Sequence, residues 1–529
     1  DAEMRRSGAR VSGYLRRLAT TGAAYTAASI LSKLIAVALL PLYTRHLTID
    51  DYGSAEVLFA AVVSVSIVAR LGLIEAVLRF YYREDEDPDR IVGATFSGLF
   101  WTTTVVALVL LPLAGPLSEL LLNPKPDELD TAAELTRIAI GGLWVATLFE
   151  YLLTLYRLDE RARAYFALTI TNVLATIALT VVLVVGVGDG ARGLLLGSYV
   201  AGAFFVAAMI FEQRRRLSLR VEVPLLRRLL RFGLPTMPAE VSLYALNFAD
   251  RLIIVQVKGV GEAGLYSLAV KFAQAVNVLV RGFQLAWPPL AYSIKDDDEA
   301  RRTYANVITL FLAGCTWMVV GLWLLAEYLL RFFSAAEFHA AYEVVGLIAA
   351  AVTLYSLYMV MVVILGRTGR TEYNLPAAIG ALVANVALNL ILVPPLGIVG
   401  AGLALVASYL VVIALMYWFT EKLFPVPYEW GRLARVLFAA AALVGLGELV
   451  MPASGFAGLV GRLFLALLYP VVLLLSGFFT SEERGWLRRL RSPRELAASF
   501  AAIRARPAAV EGDPGELYEA ERMDEDSPF

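Results

Sequence analysis

The sequence predicts an all-α integral membrane protein, because its composition is apolar and its apolar residues are grouped into long runs. Fifty-nine per cent of the 529 residues are hydrophobic and 18% are charged, with a mean hydropathy of +0.68. Soluble domains are nearer half apolar and a quarter charged. The runs are about twenty residues long, which is the length that a helix needs to span a bilayer core. These observations exclude a soluble enzyme, a nucleic-acid-binding protein and a disordered scaffold.

Fourteen segments are predicted to be membrane-spanning helices, and near-continuous apolarity rather than amphipathic periodicity identifies them. Short polar loops join them. In chain order, spans 1 to 14 lie near 20–42, 52–80, 91–113, 133–156, 164–186, 191–212, 232–257, 263–291, 303–332, 341–365, 372–393, 397–420, 433–450 and 457–479.

The distribution of Lys and Arg predicts that both termini of the chain are cytoplasmic. Basic residues concentrate in the two terminal segments and in the loops after spans 2, 4, 6, 8, 10 and 12, and cytoplasmic loops carry such an excess. Both termini lie on one side only if the number of spans is even, which fourteen satisfies. The opposite loops hold seven of the 46 basic residues: Arg45, Lys125, Arg137, Arg192, Lys258, Arg331 and Arg462.

The two halves of the chain are similar in sequence. Residues 156–199 and 366–409 each contain a short basic loop, an aromatic start, an Asn-bearing apolar helix, a Gly-rich turn and a second helix that reaches a Ser-Tyr pair, at Tyr199 and Tyr409. The offset steps over six spans, so the halves cross the membrane in the same sense. Parallel repeats with a binding site between them are typical of transporters. The alternative is that helices rich in Leu, Ala and Val all look alike.

Ten charged residues within the predicted spans are candidates for a functional role, because a charge there is unfavourable unless it is paired or faces a water-filled cavity. Most of them lie in spans 1, 2, 7 and 8, the corresponding first pairs of the two halves. The basic residues are Lys33, Arg70, Arg251, Lys271 and Arg281, and the acidic residues are Glu56, Glu75, Glu150, Glu240 and Asp250.

If these spans face each other, the five basic side chains converge on one central cavity that suits an anionic headgroup. Arg binds phosphate with a bidentate fork, and Lys binds it as a point charge. Arg70 and Arg281 lie mid-span and are therefore the strongest candidates for substrate binding. Lys271 lies close to the outer end of its span, where a long side chain can extend to the interface.

The alternative role of these charges is structural pairing between helices, for example Lys33 with Glu75 or Asp250 with Arg70. Apart from Glu56, the carboxylates are candidates either for such pairing or for binding a coupling Na⁺ or proton. They are Glu75, Glu150, Glu240 and Asp250.

No metal site and no organic cofactor are predicted. The single cysteine, Cys315, excludes a disulfide within these 529 residues and a cysteine metal cage. The sequence has two histidines, His46 and His339. It contains no GxxxxGK[ST] run, the phosphate-binding loop of many ATPases, so direct drive by ATP is not expected.

Three segments carry a resemblance to a known family: LTIDDYGSAEVLFA at 47–60, VARLGLIEAVLRFYY at 68–82 and LNLILVPPLGIVGAGLALVASY at 388–409. The chain resembles the polysaccharide transporters, the Wzx-type flippases of the multidrug/oligosaccharidyl-lipid/polysaccharide exporter superfamily, over most of residues 15–480. The resemblance implies two pseudo-symmetric six-helix lobes around a central cavity, two further helices, and transport by alternating access.

The domain organisation that follows has six parts, and the cytoplasmic membrane is the implied location. The parts are a basic cytoplasmic segment at 1–19, a first lobe at 20–213, a basic cytoplasmic linker at 214–227, a second lobe at 228–421, two helices at 432–479, and a cytoplasmic amphipathic helix with an acidic tail at 480–529.

The implied function is translocation, without catalysis, of a polyprenyl-(pyro)phosphate-linked oligosaccharide repeat unit from the inner to the outer leaflet. The implied partners are this glycolipid, membrane lipids, and proteins of polysaccharide polymerisation and assembly. No nucleic-acid partner is expected.

Four other functions compete with this one. A lipid II flippase of the same superfamily has the same number of spans and a cationic cavity, so composition does not separate it. A drug or organic-cation exporter favours an acidic, aromatic cavity. A membrane glycosyltransferase or polymerase needs catalytic groups in its outer loops, and the candidates Asp50 and Asp51 are better explained as a helix N-terminal turn. A non-transporting membrane scaffold does not explain the charges within the spans.

Overall fold

The structure is a computed structural model, and parts of both terminal regions lie outside the residues that it describes. The structure does not describe the basic segment at 1–19, most of span 1 with Lys33, or the predicted helix and tail beyond residue 484. The described residues are 31, 35–82, 87–481 and 483–484.

The chain divides into two compact units. Residues 25–478 form the larger unit, which contains every helix discussed below, and residues 1–24 with 479–529 form the other. In the described part of the smaller unit, Thr480 and Glu483 exchange side-chain-to-backbone hydrogen bonds of 2.8 and 3.3 Å.

The described residues are almost entirely helical, and no strand occurs among them. Short 3₁₀- or π-helical turns at Leu111–Leu113, Val182–Val187, Ala336–Ala341 and Thr371–Tyr373 link some of the α-helices. The α-helices are α1 (Leu40–His46), α2 (Ile49–Arg70), α3 (Leu73–Phe80), α4 (Pro88–Leu110), α5 (Ala114–Leu122), α6 (Leu129–Leu158), α7 (Ala162–Val181), α8 (Gly190–Gln213), α9 (Val223–Lys258), α10 (Val260–Ala273), α11 (Val276–Ser293), α12 (Asp297–Phe333), α13 (Tyr342–Arg367), α14 (Asn374–Leu423), α15 (Trp430–Val450) and α16 (Gly455–Leu475).

The predicted all-α membrane architecture is confirmed, whereas the number of fourteen spans is not. Ten of the described helices are long and apolar enough to cross a bilayer, or eleven if the bent pair α10–α11 forms one span. Predicted spans 11 and 12 run together in α14, which bends at Gly397 with φ 57°. Helix α9 is not among the ten, and it begins at Val223 rather than near residue 232.

Predicted span 2 is interrupted where α2 meets α3. Leu71 and Gly72 adopt left-handed backbone conformations, with φ of 50° and 68°, which cost residues other than glycine roughly 1–2 kcal/mol. Gly72 lies so close to α9 that a Cβ atom there would be 2.1 Å from the carbonyl oxygen of Gly233. The interruption therefore lets the end of span 2 pack directly against the backbone of α9.

The beginning of α2 crosses α10 at an equally close glycine contact. A Cβ atom at Gly53 would be 2.1 Å from the carbonyl oxygen of Val260, and one at Gly264 would be 2.9 Å from the Cα atom of Gly53. A capping box between Thr48 and Asp51 fixes the start of α2, which confirms that Asp51 belongs to a helix N-terminal turn. Predicted span 2 is thus joined to the second half of the chain near both of its ends.

Two apolar clusters surround these contacts. The smaller cluster joins α3, α4 and the start of α9 to the later parts of α6 and α8, and the larger one extends from α2 through α10 to α14. The last two helices, α15 and α16, pack against each other and against α12. Buried Arg462 of α16 pairs with Glu448 of α15 at 3.3 Å.

Ion pairs of Arg216 connect the linker between α8 and α9 to the first half of the chain. The guanidinium of Arg216 lies 2.6 Å from Asp89 and 2.8 Å from Asp159, and it donates a hydrogen bond to the Tyr81 hydroxyl at 2.9 Å. Burial disfavours the charged form of Arg216, but the hydrogen bonds that it donates to Asp159 and Tyr81 outweigh burial and raise the pKa of Arg216 above its ordinary value. This arginine is therefore a structural anchor of the predicted basic linker.

Gly53→Ala is expected to lower the stability of the fold by about 1–3 kcal/mol, because the added methyl group overlaps backbone atoms of α10. Gly141→Ala is the matched control: Gly141 also lies in a long helix, α6, and its added Cβ meets no atom within 4 Å. This control is expected to be neutral or stabilising. Thermal unfolding of the purified proteins in detergent measures both effects, and equal melting temperatures for the two variants would contradict the close helix crossing.

Candidate functional site

A cavity of about 670 Å³ lies between α2, α9, α10, α11, α13 and α14. Most of these helices belong to the second half of the chain. The described residues that line it are Glu56, Phe59, Ala60, Val63, Ser64, Tyr244, Phe248, Arg251, Tyr266, Val270, Gln274, Asn277, Arg281, Phe283, Gln284, Trp287, Pro288, Ile348, Val352, Tyr355, Met359, Val360, Val362, Val363, Leu405 and Tyr409.

Two guanidinium groups line this cavity. Arg251 on α9 donates a hydrogen bond from Nε to the hydroxyl of Ser267 at 2.9 Å, which holds it against α10. Arg281 on α11 is exposed, and its side chain makes no hydrogen bond or ion pair within the described part of the chain. Tyr244 and Tyr355 are its electrostatic neighbours. The structure thus brings together two of the five basic residues that were predicted to converge.

Lys271 lies beside the cavity and is neutralised there. Its Nζ atom is 2.5 Å from Oε1 of Glu56 on α2 and 5.0 Å from the centroid of the Tyr52 ring. This ion pair connects the two halves of the chain close to the Gly53–Gly264 crossing. Lys271 is therefore paired across the halves rather than extended to the interface, while Glu56 itself lines the cavity.

Arg70 does not line the cavity, in contrast to the expectation from the sequence. Its guanidinium lies 2.8 Å from Glu150 on α6 and 3.9 Å from Glu240 on α9, and 6% of the residue is exposed. Glu75 lies close enough to Glu240 to interact with it electrostatically. These carboxylates explain the difference, because they hold Arg70 among α2, α6 and α9. The pair with Asp250 that the sequence suggested is not formed, and a substrate role for Arg70 stays a prediction.

Asp250 is fully buried next to Arg251, and neutral groups hold its carboxylate. The Tyr266 hydroxyl donates to Oδ2 at 2.8 Å, and the Nδ2 atoms of Asn385 and Asn389 each donate to Oδ1 at 2.8 Å. The Oδ1 atoms of both asparagines are buried without a hydrogen-bond partner in the described residues. Buried acceptors without donors are unfavourable, and carboxylate and amide oxygens are the ligands that hard cations prefer.

A search for charged residues alone does not find the carboxamides of the cavity. Gln274, Asn277 and Gln284 line it together with Arg281. Their spacing of three, four and three residues places Asn277, Arg281 and Gln284 on one face of α11, and Gln274 lies in the turn before that helix. This spacing is visible in the apolar sequence of span 8, so the sequence did contain a signal for these residues. The spacing of Asn385 and Asn389, one turn apart in span 11, is likewise visible in the sequence, and both residues bind Asp250.

The chain matches the family model described as polysaccharide biosynthesis protein over residues 42–343, which is more than half of its length. It is also similar to the succinoglycan biosynthesis transport protein of Rhizobium meliloti (strain 1021), with 25% identity over 321 residues. That alignment covers 59% of this chain and 61% of the relative, so the chain spans less than two thirds of the relative's length.

Solved structures of membrane transporters share the fold. A structure of the lipid II flippase MurJ in an inward closed conformation has a TM-score of 0.65 at 14% identity, and the match covers 87% of this chain and 98% of the other. An inward-facing multidrug resistance transporter of the MATE family, a member of the MOP superfamily, has a TM-score of 0.62 at 15% identity, covering 75% and 94%. At these identities the likeness establishes the fold.

Arg70→Ala is expected to lower the stability of the protein by about 2 kcal/mol, because it removes a hydrogen-bonded charge and leaves carboxylates without their partner. Arg281→Ala is the matched control and is expected to change stability by less than about 0.5 kcal/mol, since no side-chain hydrogen bond or ion pair is lost within the described residues. Thermal unfolding in detergent compares the two. A larger loss of stability for Arg281→Ala than for Arg70→Ala would contradict the different environments of these arginines.

Proposed function

The chain belongs to the polysaccharide biosynthesis protein family, and from this premise we propose that it is a flippase for a polyprenyl-(pyro)phosphate-linked oligosaccharide. The proposed direction is from the inner to the outer leaflet of the cytoplasmic membrane. Transport proceeds by alternating access between lobes at 20–213 and 228–421. The observation that carries the proposal is Arg281, whose guanidinium lines the cavity without a carboxylate partner in the described part of the chain.

An arginine within a membrane-spanning segment is unfavourable unless water or a partner satisfies it. A phosphate suits it well, because the planar guanidinium donates two parallel, charge-assisted hydrogen bonds to such an anion. The apolar wall strengthens this attraction relative to bulk water, since the local dielectric constant is lower. In the proposed mechanism, Arg281 and Arg251 bind the (pyro)phosphate of the glycolipid while the prenyl chain stays in the lipid. No bond of the cargo is made or broken.

The charges of the cavity favour an anionic cargo over an organic cation. A cation would meet both guanidiniums, and the carboxylate of Glu56 that also lines the cavity is already paired with Lys271. A lipid II flippase is the alternative, because a cationic cavity suits it equally. The family match and the similarity to a succinoglycan transport protein support the polysaccharide cargo.

Opposite ends of predicted span 2 provide the contacts that alternating access requires. In the proposed orientation, with both termini in the cytoplasm, the Gly53–Gly264 crossing lies on the outer side of the cavity. The contact between Gly72 and Gly233 lies on the inner side. Release of one contact while the other holds would expose the cavity to one leaflet at a time. Proteins of polysaccharide polymerisation and assembly are the proposed recipients of the exported glycolipid.

The energy for the outward step is proposed to come from a Na⁺ or proton gradient that acts at Asp250. The carboxylate is buried between α9 and α14 and borders Arg251, which lines the cavity. Binding of a small cation would neutralise the carboxylate and satisfy the two asparagine oxygens that have no donor in the described residues. The occupancy of this site would then alter the position of α9 and of the guanidinium that it carries.

Arg281→Ala is expected to reduce transport about tenfold or more, because a charge-assisted hydrogen bond contributes about 1.5–3 kcal/mol. The measurement follows a fluorescent polyprenyl-pyrophosphate oligosaccharide across proteoliposomes, with an impermeant quencher reporting which leaflet it occupies. Arg163→Ala, which removes an exposed arginine outside the cavity, is the control and should transport normally. A normal rate for Arg281→Ala in protein that has inserted normally would contradict the proposed phosphate site.

Asp250→Asn is expected to abolish the dependence of transport on the ion gradient, because the neutral side chain has the same shape but cannot bind a proton or Na⁺ in the same way. Transport is measured in two arms, a Na⁺ gradient at equal pH and a pH gradient without Na⁺. Glu448→Gln, which changes a carboxylate remote from the cavity, should respond as the unaltered protein does. A response of Asp250→Asn equal to that of the unaltered protein in both arms would refute coupling at this site.

A further inference from the structure

The wall of the cavity that α10 and α11 form carries a polar stripe that phosphate binding alone does not explain. The stripe consists of Asn277, Arg281 and Gln284 on one face of α11 and of Gln274 in the turn before that helix, and all four residues line the cavity. A bend of 52° between α10 and α11 falls at its beginning. None of the three carboxamide side chains makes a hydrogen bond within the described residues.

Three carboxamides of the cavity wall are partly exposed and are not hydrogen-bonded to other described residues. Each carries two N–H donors and an acceptor oxygen, and a polar group without hydrogen bonds is unfavourable in an apolar environment. The wall formed by α13 is largely apolar, with Val352, Met359 and Val363 beside the ring of Tyr355. The cavity is therefore amphipathic, and its polar side is ready to bind a group with many hydrogen-bonding atoms.

We propose that Gln274 and Asn277 bind the hydroxyl groups of the sugars that follow the phosphate held by Arg281. This inference rests on the proposed function and identifies the part of the cargo that the cavity distinguishes. A carboxamide donates and accepts hydrogen bonds, as a hydroxyl group does, so it binds a neutral glycan without requiring a charge. A prenyl phosphate without sugars offers these carboxamides no hydroxyl groups to bind.

The order of the residues along the helix sets the order of the cargo's groups. Asn277 precedes Arg281 by four residues, a rise of about 6 Å along α11, and Gln274 lies in the bend between α10 and α11. The sugar attached to the phosphate therefore faces Asn277, and the following part of the glycan faces Gln274. Gln284 lies on the other side of Arg281, toward the inner leaflet from which the prenyl chain enters. Tyr355 faces the C–H side of the sugars, which aromatic rings attract.

The test compares two probes, polyprenyl pyrophosphate and polyprenyl pyrophosphate that carries a hexose disaccharide. Native mass spectrometry of the purified full chain gives the affinity for each, and their ratio is the gain in affinity from the glycan. Gln274→Leu and Asn277→Leu are each expected to reduce this gain about fivefold, as for the loss of one hydrogen bond. Both should bind the probe without sugars normally. Arg281→Ala should weaken the binding of both probes. Val278→Ala, which alters an exposed residue of the same helix, should leave the binding of both unchanged.

The outcomes separate this inference from the proposed function. An unchanged gain in both leucine variants would overturn the inference, while weaker binding of both probes to Arg281→Ala would still support a glycolipid flippase. Binding of neither probe to the unaltered protein would contradict the proposed function itself. Gln274→Met, which preserves the length of the side chain, replaces Gln274→Leu if the leucine variant melts at a lower temperature.

Discussion

The requirement that a charge within an apolar span be satisfied organises the centre of this protein. Arg70 and Lys271 meet this requirement with carboxylates on other helices, and the Lys271 pair joins the first half of the chain to the second. Arg251 is bound to the hydroxyl of a neighbouring helix. Arg281 has no such partner among the described residues and lines the cavity instead. Arg281 is thus the candidate for cargo binding, because the other described basic residues of this group have partners within the protein.

The glycine contacts provide the second constraint, because they determine how closely the halves approach. At Gly53 and at Gly72 the neighbouring backbone leaves no room for a Cβ atom, so predicted span 2 touches the second half at two separate places. The cavity lies along the same span and is completed by helices of the second half. Small residues let helices approach closely in membranes, where association depends on packing rather than on the hydrophobic effect. Such contacts are narrow, as the proposed alternating access between the halves requires.

Much of the fold was predictable, because apolarity over about twenty residues marks a helix whatever its neighbours are. Span 4, predicted at 133–156, corresponds to Leu129–Leu158. The interruption at Leu71 and Gly72 was not predicted, since it depends on contact with a distant glycine on α9. The start of α9 was also missed, because its arginines and prolines are more typical of a loop than of a span.

The residue types of the site were predictable, but their partners were not. Arg70 pairs with Glu150, which is 80 residues away, and Asp250 binds asparagines that are 135 and 139 residues away. The spacing along one helix cannot reveal such pairs. By contrast, the part of the polar stripe that lies on α11 follows from helical periodicity alone. Reasoning from charge overlooked it because carboxamides are neutral.

The most direct measurement is to locate the glycan of the bound cargo. A polyprenyl-pyrophosphate oligosaccharide with a photoreactive diazirine on its sugar would be cross-linked to the protein in membranes, and the labelled peptides would be identified by mass spectrometry. The account predicts cross-links on α11 near Asn277 and on the facing surface of α13. Cross-links confined to lipid-facing residues of α15 and α16, such as the exposed Phe438 and Phe456, would contradict it.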